Sequence, residues 1–197
     1  EGHLFSPIVV TGSIHAIRRE FHCRVPSRYT NDLVTPLSIL KRGYAVRFEP
    51  EAIISDAPVF QVKKDMKQRV RVAARGAATL WYMQEMLNPL QHPVVAFQLY
   101  SRKVLRWFVG LFALIALFSN CKLRRTHLFY RMFLLGQVGF YLAASIEFLF
   151  QRTGRRTILY VPFYVVTIHL CALLGVGKFL RGEDFSTWEP VRDNRRN

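Results

Sequence analysis

Leu128–Phe150, LFYRMFLLGQVGFYLAASIEFLF, and Thr157–Leu180, TILYVPFYVVTIHLCALLGVGKFL, are the stretches that decide the fold. A helix needs about 20 mostly apolar residues to cross the hydrocarbon layer of a bilayer, and both satisfy that. Their charges sit near the ends: Arg131 and Glu147 in the first, Lys178 in the second. Upstream, Val104–Ser119 (VLRWFVGLFALIALFS) is shorter. Arg102, Lys103 and Arg106 can keep their stems in the interface there and extend their charged tips to the headgroups. Three spanning helices are expected, unless the stretch around Val94–Trp107 lies along the surface as an amphipathic helix.

The surrounding composition agrees. The chain has 197 residues and a formal net charge of +15, with 51% hydrophobic and 14% aromatic residues, which excludes a disordered or fibrous chain. The C-terminal half from residue 101 carries a net +10 and the N-terminal half +5, yet the C-terminal half also holds the long apolar runs. Apolar segments punctuated by Arg clusters point to a bilayer and not to nucleic acid. The two connectors carry three cations each (Lys122, Arg124 and Arg125; Arg152, Arg155 and Arg156), so charge bias does not choose the orientation. Cys23, Cys121 and Cys171 lie far apart with no metal-ligand or disulfide spacing. Gly136 and Gly139 are expected to let helices approach closely. The chain starts at Glu1 without an initiator Met, which reads as a processed or truncated product.

Residues 1–91 read as a mixed α/β region, 92–182 as interfacial and spanning helices, and 183–197 as a basic tail. PIVVTGSIHAIRREF reads as a strand, a turn at Thr11-Gly12 and a second strand or short helix. NDLVTPLSIL has the helical spacing of Leu33, Leu37 and Leu40, with Pro36 restricting its first turn and Gly43 ending the helix. Tyr44, Val46 and Phe48 alternate as in a half-buried strand, and a basic helix is expected over Val62–Leu87.

Two constellations carry chemical meaning. Asp32 opens a helix, where it can cap backbone N–H groups or act as a general base toward an attacking hydroxyl. In the basic helix, Gln68, Arg71 and Arg75 share one face, with Arg69 about a quarter-turn away. Guanidinium forks suit phosphate oxygens, and a solvated basic face beside anionic lipid is the other reading.

Taken together, TGSIHAIRRE, NDLVTPLSIL, KRGYAVRFEPEAI, QRVRVAARG, the terminal helices and FLRGEDFSTWEPVRD resemble the C-terminal half of membrane-integrated family 2 glycosyltransferases. These are the processive, inverting enzymes that include hyaluronan, cellulose and poly-N-acetylglucosamine synthases. The resemblance implies an α/β fold, the C-terminal part of a GT-A domain, followed by about three transmembrane helices. It implies transfer of a sugar from a nucleotide-sugar donor, UDP-linked, to a growing polysaccharide, with the catalytic portion on the cytoplasmic side of the cell membrane.

Residue by residue, the family's acidic motif falls on Thr30-Asn31-Asp32, making Asp32 the base, with Asn31 where an acidic residue is usual. Its Gln-x-x-Arg-Trp motif falls on Gln68-Arg69-Val70-Arg71-Val72, with Val72 in place of the Trp. The resemblance makes Gln68 and Arg71, with Arg69 and Arg75 beside them, the diphosphate contacts, and Thr11-Gly12 the turn below the acceptor. The family's divalent metal (Mg or Mn) is held by an Asp-x-Asp motif that this chain lacks, Glu49-Pro50-Glu51 being a poor substitute. A missing N-terminal half, in cis or in trans, is therefore expected as partner, and the chain alone as inactive. A non-processive transferase to a lipid-linked acceptor, and an inactive membrane-anchored interaction module, are the alternatives.

Overall fold

The computed structural model describes residues 6–12, 14–55, 62–150 and 158–183. They form six α-helices: α1 (Asn31–Lys41), α2 (Val62–Tyr82), α3 (Pro93–Leu99), α4 (Leu105–Leu123), α5 (Leu128–Phe150) and α6 (Tyr160–Leu180). A 3-10 turn over Gln84–Leu87 links α2 toward α3, and a π-helical turn over Tyr100–Val104 joins α3 to α4.

The expected α/β fold is corrected. Among the described residues there is no strand. The stretch from Pro7 is a run of bends and extended backbone with one 3-10 turn at Arg19–Phe21. The alternating Tyr44, Val46 and Phe48 are coil, with Tyr44 exposed at 53%, Phe48 at 65% and Val46 half-buried. Alternation makes a strand only where a neighbouring strand takes up the backbone hydrogen bonds and a core takes the apolar face, and neither is present here. No α/β GT-A portion is formed among the described residues.

The helices follow their sequence more closely. α1 and α6 end in the same way. At α1, Gly43 has φ +80°, its N–H bonds to the Leu40 carbonyl, and the Tyr44 N–H bonds to the Ile39 carbonyl. At α6, Gly182 has φ +75°, with Gly182 to Phe179 and Glu183 to Lys178 in the same pattern. Both are glycine-terminated ends that satisfy the last free carbonyls. The basic helix expected to reach Leu87 stops at Tyr82 and tightens into the 3-10 turn.

Among the described residues, three segments are long and apolar enough to cross a membrane: Pro93–Leu123, Leu128–Phe150 and Tyr160–Leu180. The first differs from expectation. It is one continuous helical rod of 31 residues, about 46 Å at the α-helical rise. That exceeds a hydrocarbon layer of about 30 Å, so the rod must tilt or extend beyond it. Val94–Trp107 and the apolar run that follows are parts of one rod.

α6 is the centre of the bundle and packs on α2, α4 and α5. A single apolar core runs from the N-terminal segment into the membrane helices. Ile8, Leu33, Leu37, Ala77, Leu80, Met86, Leu99 and Trp107 are buried together, with Val176 and Phe179 of α6 against them. The soluble-looking N-terminal part and the bundle therefore share one core. α4 and α5 are also joined by a hydrogen bond from Asn120 Nδ2 to Gln137 Oε1 at 2.9 Å. Glu147 is fully buried.

Candidate functional site

Asp32 is the second residue of α1, where its charge complements the positive end of the helix. Its surroundings come from two other segments. Pro36 lacks an N–H, so the Asp32 carbonyl four residues earlier has no intrahelical donor. That carbonyl instead accepts the Val10 N–H at 2.9 Å. Burial of Ile8 anchors the same strap, and the two together lay Thr11-Gly12 across the start of α1. A methyl at Gly12 would sit 3.7 Å from Asp32 Oδ2, so the glycine leaves the carboxylate an open approach. The Thr11-Gly12 turn and Asp32 lie side by side.

α2 supplies the third side. Thr79, 0% exposed, accepts the Thr30 N–H at 3.0 Å and donates its hydroxyl to the Arg75 carbonyl at 2.8 Å. The two hydroxyls, Thr30 Oγ1 and Thr79 Oγ1, lie 3.3 Å apart. The N-cap Thr30 thus turns its side chain toward α2 and away from its own helix. Arg75 donates to the backbone carbonyls of Ser27 (2.9 Å) and Tyr29 (2.5 Å), and Tyr29 stacks on Tyr82 at 4.4 Å. Burial first, then the like charge of Arg71, pull the Arg75 guanidinium below its ordinary value, with Asp32 opposing them. Asp32, Arg71 and Arg75 therefore share one electrostatic neighbourhood, and half-buried Lys103 in the first membrane rod feels the like charge of Arg106 and, less strongly, the opposite charge of Asp32.

The four residues of the basic helix divide. Arg71 lies half-buried beside Arg75, and Gln68 is exposed one turn earlier. Arg75 clamps the loop before α1. Arg69 faces elsewhere: its Nε bonds to Asp65 Oδ2 at 2.7 Å, its Nη2 to the Tyr164 hydroxyl at 2.8 Å, and its guanidinium lies over the Tyr164 ring at 5.1 Å. Burial alone would lower its pKa, but the hydrogen bond and charge of Asp65, with Tyr164, raise it. Arg69 fastens α2 to α6. Val72, at the position of the missing Trp, is 54% exposed.

Beside Asn31 is a small polar cleft of about 240 Å³, bounded by His15, His22, Cys23, Arg24 and Thr35. Sequence reading missed this cleft because its walls come from irregular backbone with no periodic signal. It also missed Thr79, whose only trace is a Thr at a buried helix position. A larger groove, about 530 Å³, runs along α5 between Phe129 and Tyr141. It is lined by α5 alone and contains none of the site residues.

Among the described residues no three His, Cys, Asp or Glu side chains are placed to hold a metal ion. The described residues therefore make no divalent-cation site. The arrangement offers a carboxylate beside an open glycine, with cations behind it. Comparison with family models, with curated proteins and with solved structures finds no match to this chain.

Proposed function

We propose that the chain is the membrane-anchored portion of an inverting glycosyltransferase that moves a sugar from a UDP-linked donor to a growing polysaccharide. It works with a donor-binding partner segment, in cis or in trans, at the cytoplasmic face of the cell membrane. The observation that carries this reading is Gly12 lying beside Asp32, with the charges of Asp32 and Arg71 both acting on Arg75 of α2. An inverting transfer needs a carboxylate beside the acceptor hydroxyl and positive charge behind the leaving diphosphate, and Asp32 and Arg71 support the reading by supplying those two kinds of group.

In this mechanism the acceptor approaches over Gly12 and its hydroxyl proton passes to the Asp32 carboxylate. The oxygen attacks the anomeric carbon from the face opposite the nucleotide. The bond from that carbon to the diphosphate oxygen breaks, and UDP leaves with the electron pair. Arg71 and Gln68 take the charge that builds on the diphosphate. Arg75 and Thr79 hold the start of α1, so Asp32 keeps its position without reorganisation.

The test is UDP release by membranes containing the chain and its native partners, over a panel of UDP-sugars. Asp32→Asn should lower the rate by about a hundredfold or more, the usual worth of a general base, with membrane insertion unchanged. Near-normal release by that variant removes Asp32 from the role. No release from any UDP-sugar by the wild type removes the transferase reading itself.

A further inference from the structure

The cations around Asp32 outnumber it. Arg71 and Arg75 lie on α2, and Lys103 lies on the rod that enters the membrane. Arg75 is committed to the Ser27 and Tyr29 carbonyls. Arg71 and Lys103 make no hydrogen bond or ion pair with another described residue.

The geometry that brings Lys103 to this place is specific. The π-helical turn over Tyr100–Val104 takes up one extra residue relative to an α-helix. The effect is to return Leu99 and Trp107, eight residues apart, to the same face of the rod. Leu99 is 0% exposed and Trp107 9%, and both belong to the core that also holds Leu33, the neighbour of Asp32. Trp107 lies against Gly76, where an added methyl would come within 3.1 Å of its ring, and Gly76 adjoins Arg75. Lys103 stands midway between Leu99 and Trp107 in the chain and is half-buried. Lysines near the ends of membrane helices ordinarily extend toward water and headgroups. This one is half-buried, within the field of Arg106 and of Asp32, a carboxylate that also acts on Arg75. Half-burying an ammonium is costly unless an anion meets it.

We infer that Lys103 is a phosphate ligand of the Asp32 site, closing with Arg71 on a diphosphate at the membrane surface. The inference rests on the proposed reading of Asp32 and Arg71 as an active site, and extends it to the membrane rod. Two sources present the same chemistry: a soluble nucleotide diphosphate and a lipid-linked diphosphate in the bilayer.

The experiment uses the full chain in phosphatidylcholine nanodiscs. One arm titrates UDP and inorganic pyrophosphate by calorimetry. The other measures binding in nanodiscs doped with a polyprenyl diphosphate. Lys103→Met should weaken binding by about tenfold or more, the worth of a charge-assisted contact, and Lys103→Arg should restore most of it. Loss in the first arm identifies the nucleotide as the source, and loss confined to the second identifies the lipid. Unchanged binding in both arms overturns the inference. So does a wild type that binds neither probe, or an equal loss in Lys103→Met and Lys103→Arg with a lowered melting temperature, which marks a packing role. Asp32→Asn separates the two proposals, since it should leave pyrophosphate binding intact or stronger while lowering transfer by about a hundredfold or more. A Lys103 effect on binding beside an Asp32→Asn variant that still transfers would retain the phosphate site and discard only the base.

Discussion

α6 meets α2 and α5 in different ways. Toward α2 the backbones nearly touch: a Cβ on Gly175 would lie 2.5 Å from the Val70 carbonyl oxygen and 2.6 Å from the Ala73 Cβ. The contact is sealed by the Arg69 bond to Tyr164. Toward α5 the packing runs through large side chains, with Phe148 and Phe163 stacked at 6.3 Å, and the α5 glycines take no part. Gly136 and Gly139 have nothing within 4 Å of an added methyl. Lipid tails are as apolar as leucine, so contacts between membrane helices depend on close packing and interhelical hydrogen bonds. The α2–α6 seam has both. A glycine is thus an opportunity for close approach, and the partner decides whether it is used.

The largest effect expected from breaking that contrast is Gly175→Leu. The first added carbon already overlaps backbone, so α2 must leave α6, taking Arg69, Arg75 and the Asp32 site with it. The expected loss is at least about 3 kcal/mol, the upper range for overpacking, read as the melting temperature in detergent. Gly136→Leu should stay within about 0.5 kcal/mol of wild type, as surface changes do. An equal loss at Gly136 would show that the outer face of α5 is covered in the protein, and the contrast would fail.

Thr79→Val comes next. It keeps the shape of a fully buried side chain but leaves the Thr30 N–H without its acceptor. Stranding a partly buried donor costs about 1–2 kcal/mol. Chemical denaturation should show that loss, and in a transfer assay the rate should fall as the start of α1 loosens from α2.

The span of α5 was legible to the residue, because a long apolar run admits only a helix in lipid. The end of α1 was legible at Gly43, because only a positive φ closes that helix. The strands were not. Tyr44, Val46 and Phe48 have the period of a strand, but pairing is a long-range property that a local pattern cannot supply. The use of glycines was misread for the same reason: Gly136 and Gly139 were expected at a contact, whereas Gly76, Gly110 and Gly175 make the close approaches. At the site, Asp32 and Thr11-Gly12 were readable as neighbours only through the family resemblance. What joins them physically is Pro36, which was read as a restriction on the helix and acts by freeing the Asp32 carbonyl for Val10. Arg69 and Arg71, two residues apart, were grouped as phosphate contacts, yet the first is turned to Tyr164. A spacing rule places residues on a face without saying what that face meets.

Arg69 also sharpens the seam quantitatively. Its side chain and that of Asp65 are each 33% exposed, so solvent screening discounts the pair. Arg69→Met should cost about 1 kcal/mol and Tyr164→Phe about half that. The double variant should lose less than the sum, since both remove the same bond. Full additivity would show that the bond contributes nothing to holding α2 on α6.

The smallest effect belongs to the ion pair between Lys41 and Glu85, which joins the end of α1 to the turn after α2 at the surface. The hydrogen bond from Lys41, and then its charge, hold the Glu85 carboxyl below the ordinary carboxylate range. The unfolded chain therefore binds this proton at higher pH than the folded one. The contribution is complete above the unfolded value and drains away as pH falls through the folded one. Wild type and Glu85→Gln should accordingly differ slightly in melting temperature at neutral pH and converge in acid. Added salt should also erase the difference, because exposed charges are screened, while the Arg69→Met deficit at neutral pH should largely survive it. A Glu85→Gln difference that persisted in both acid and high salt would show that Glu85 contributes through packing, and the distinction between the surface pair and the α2–α6 seam would have to be redrawn.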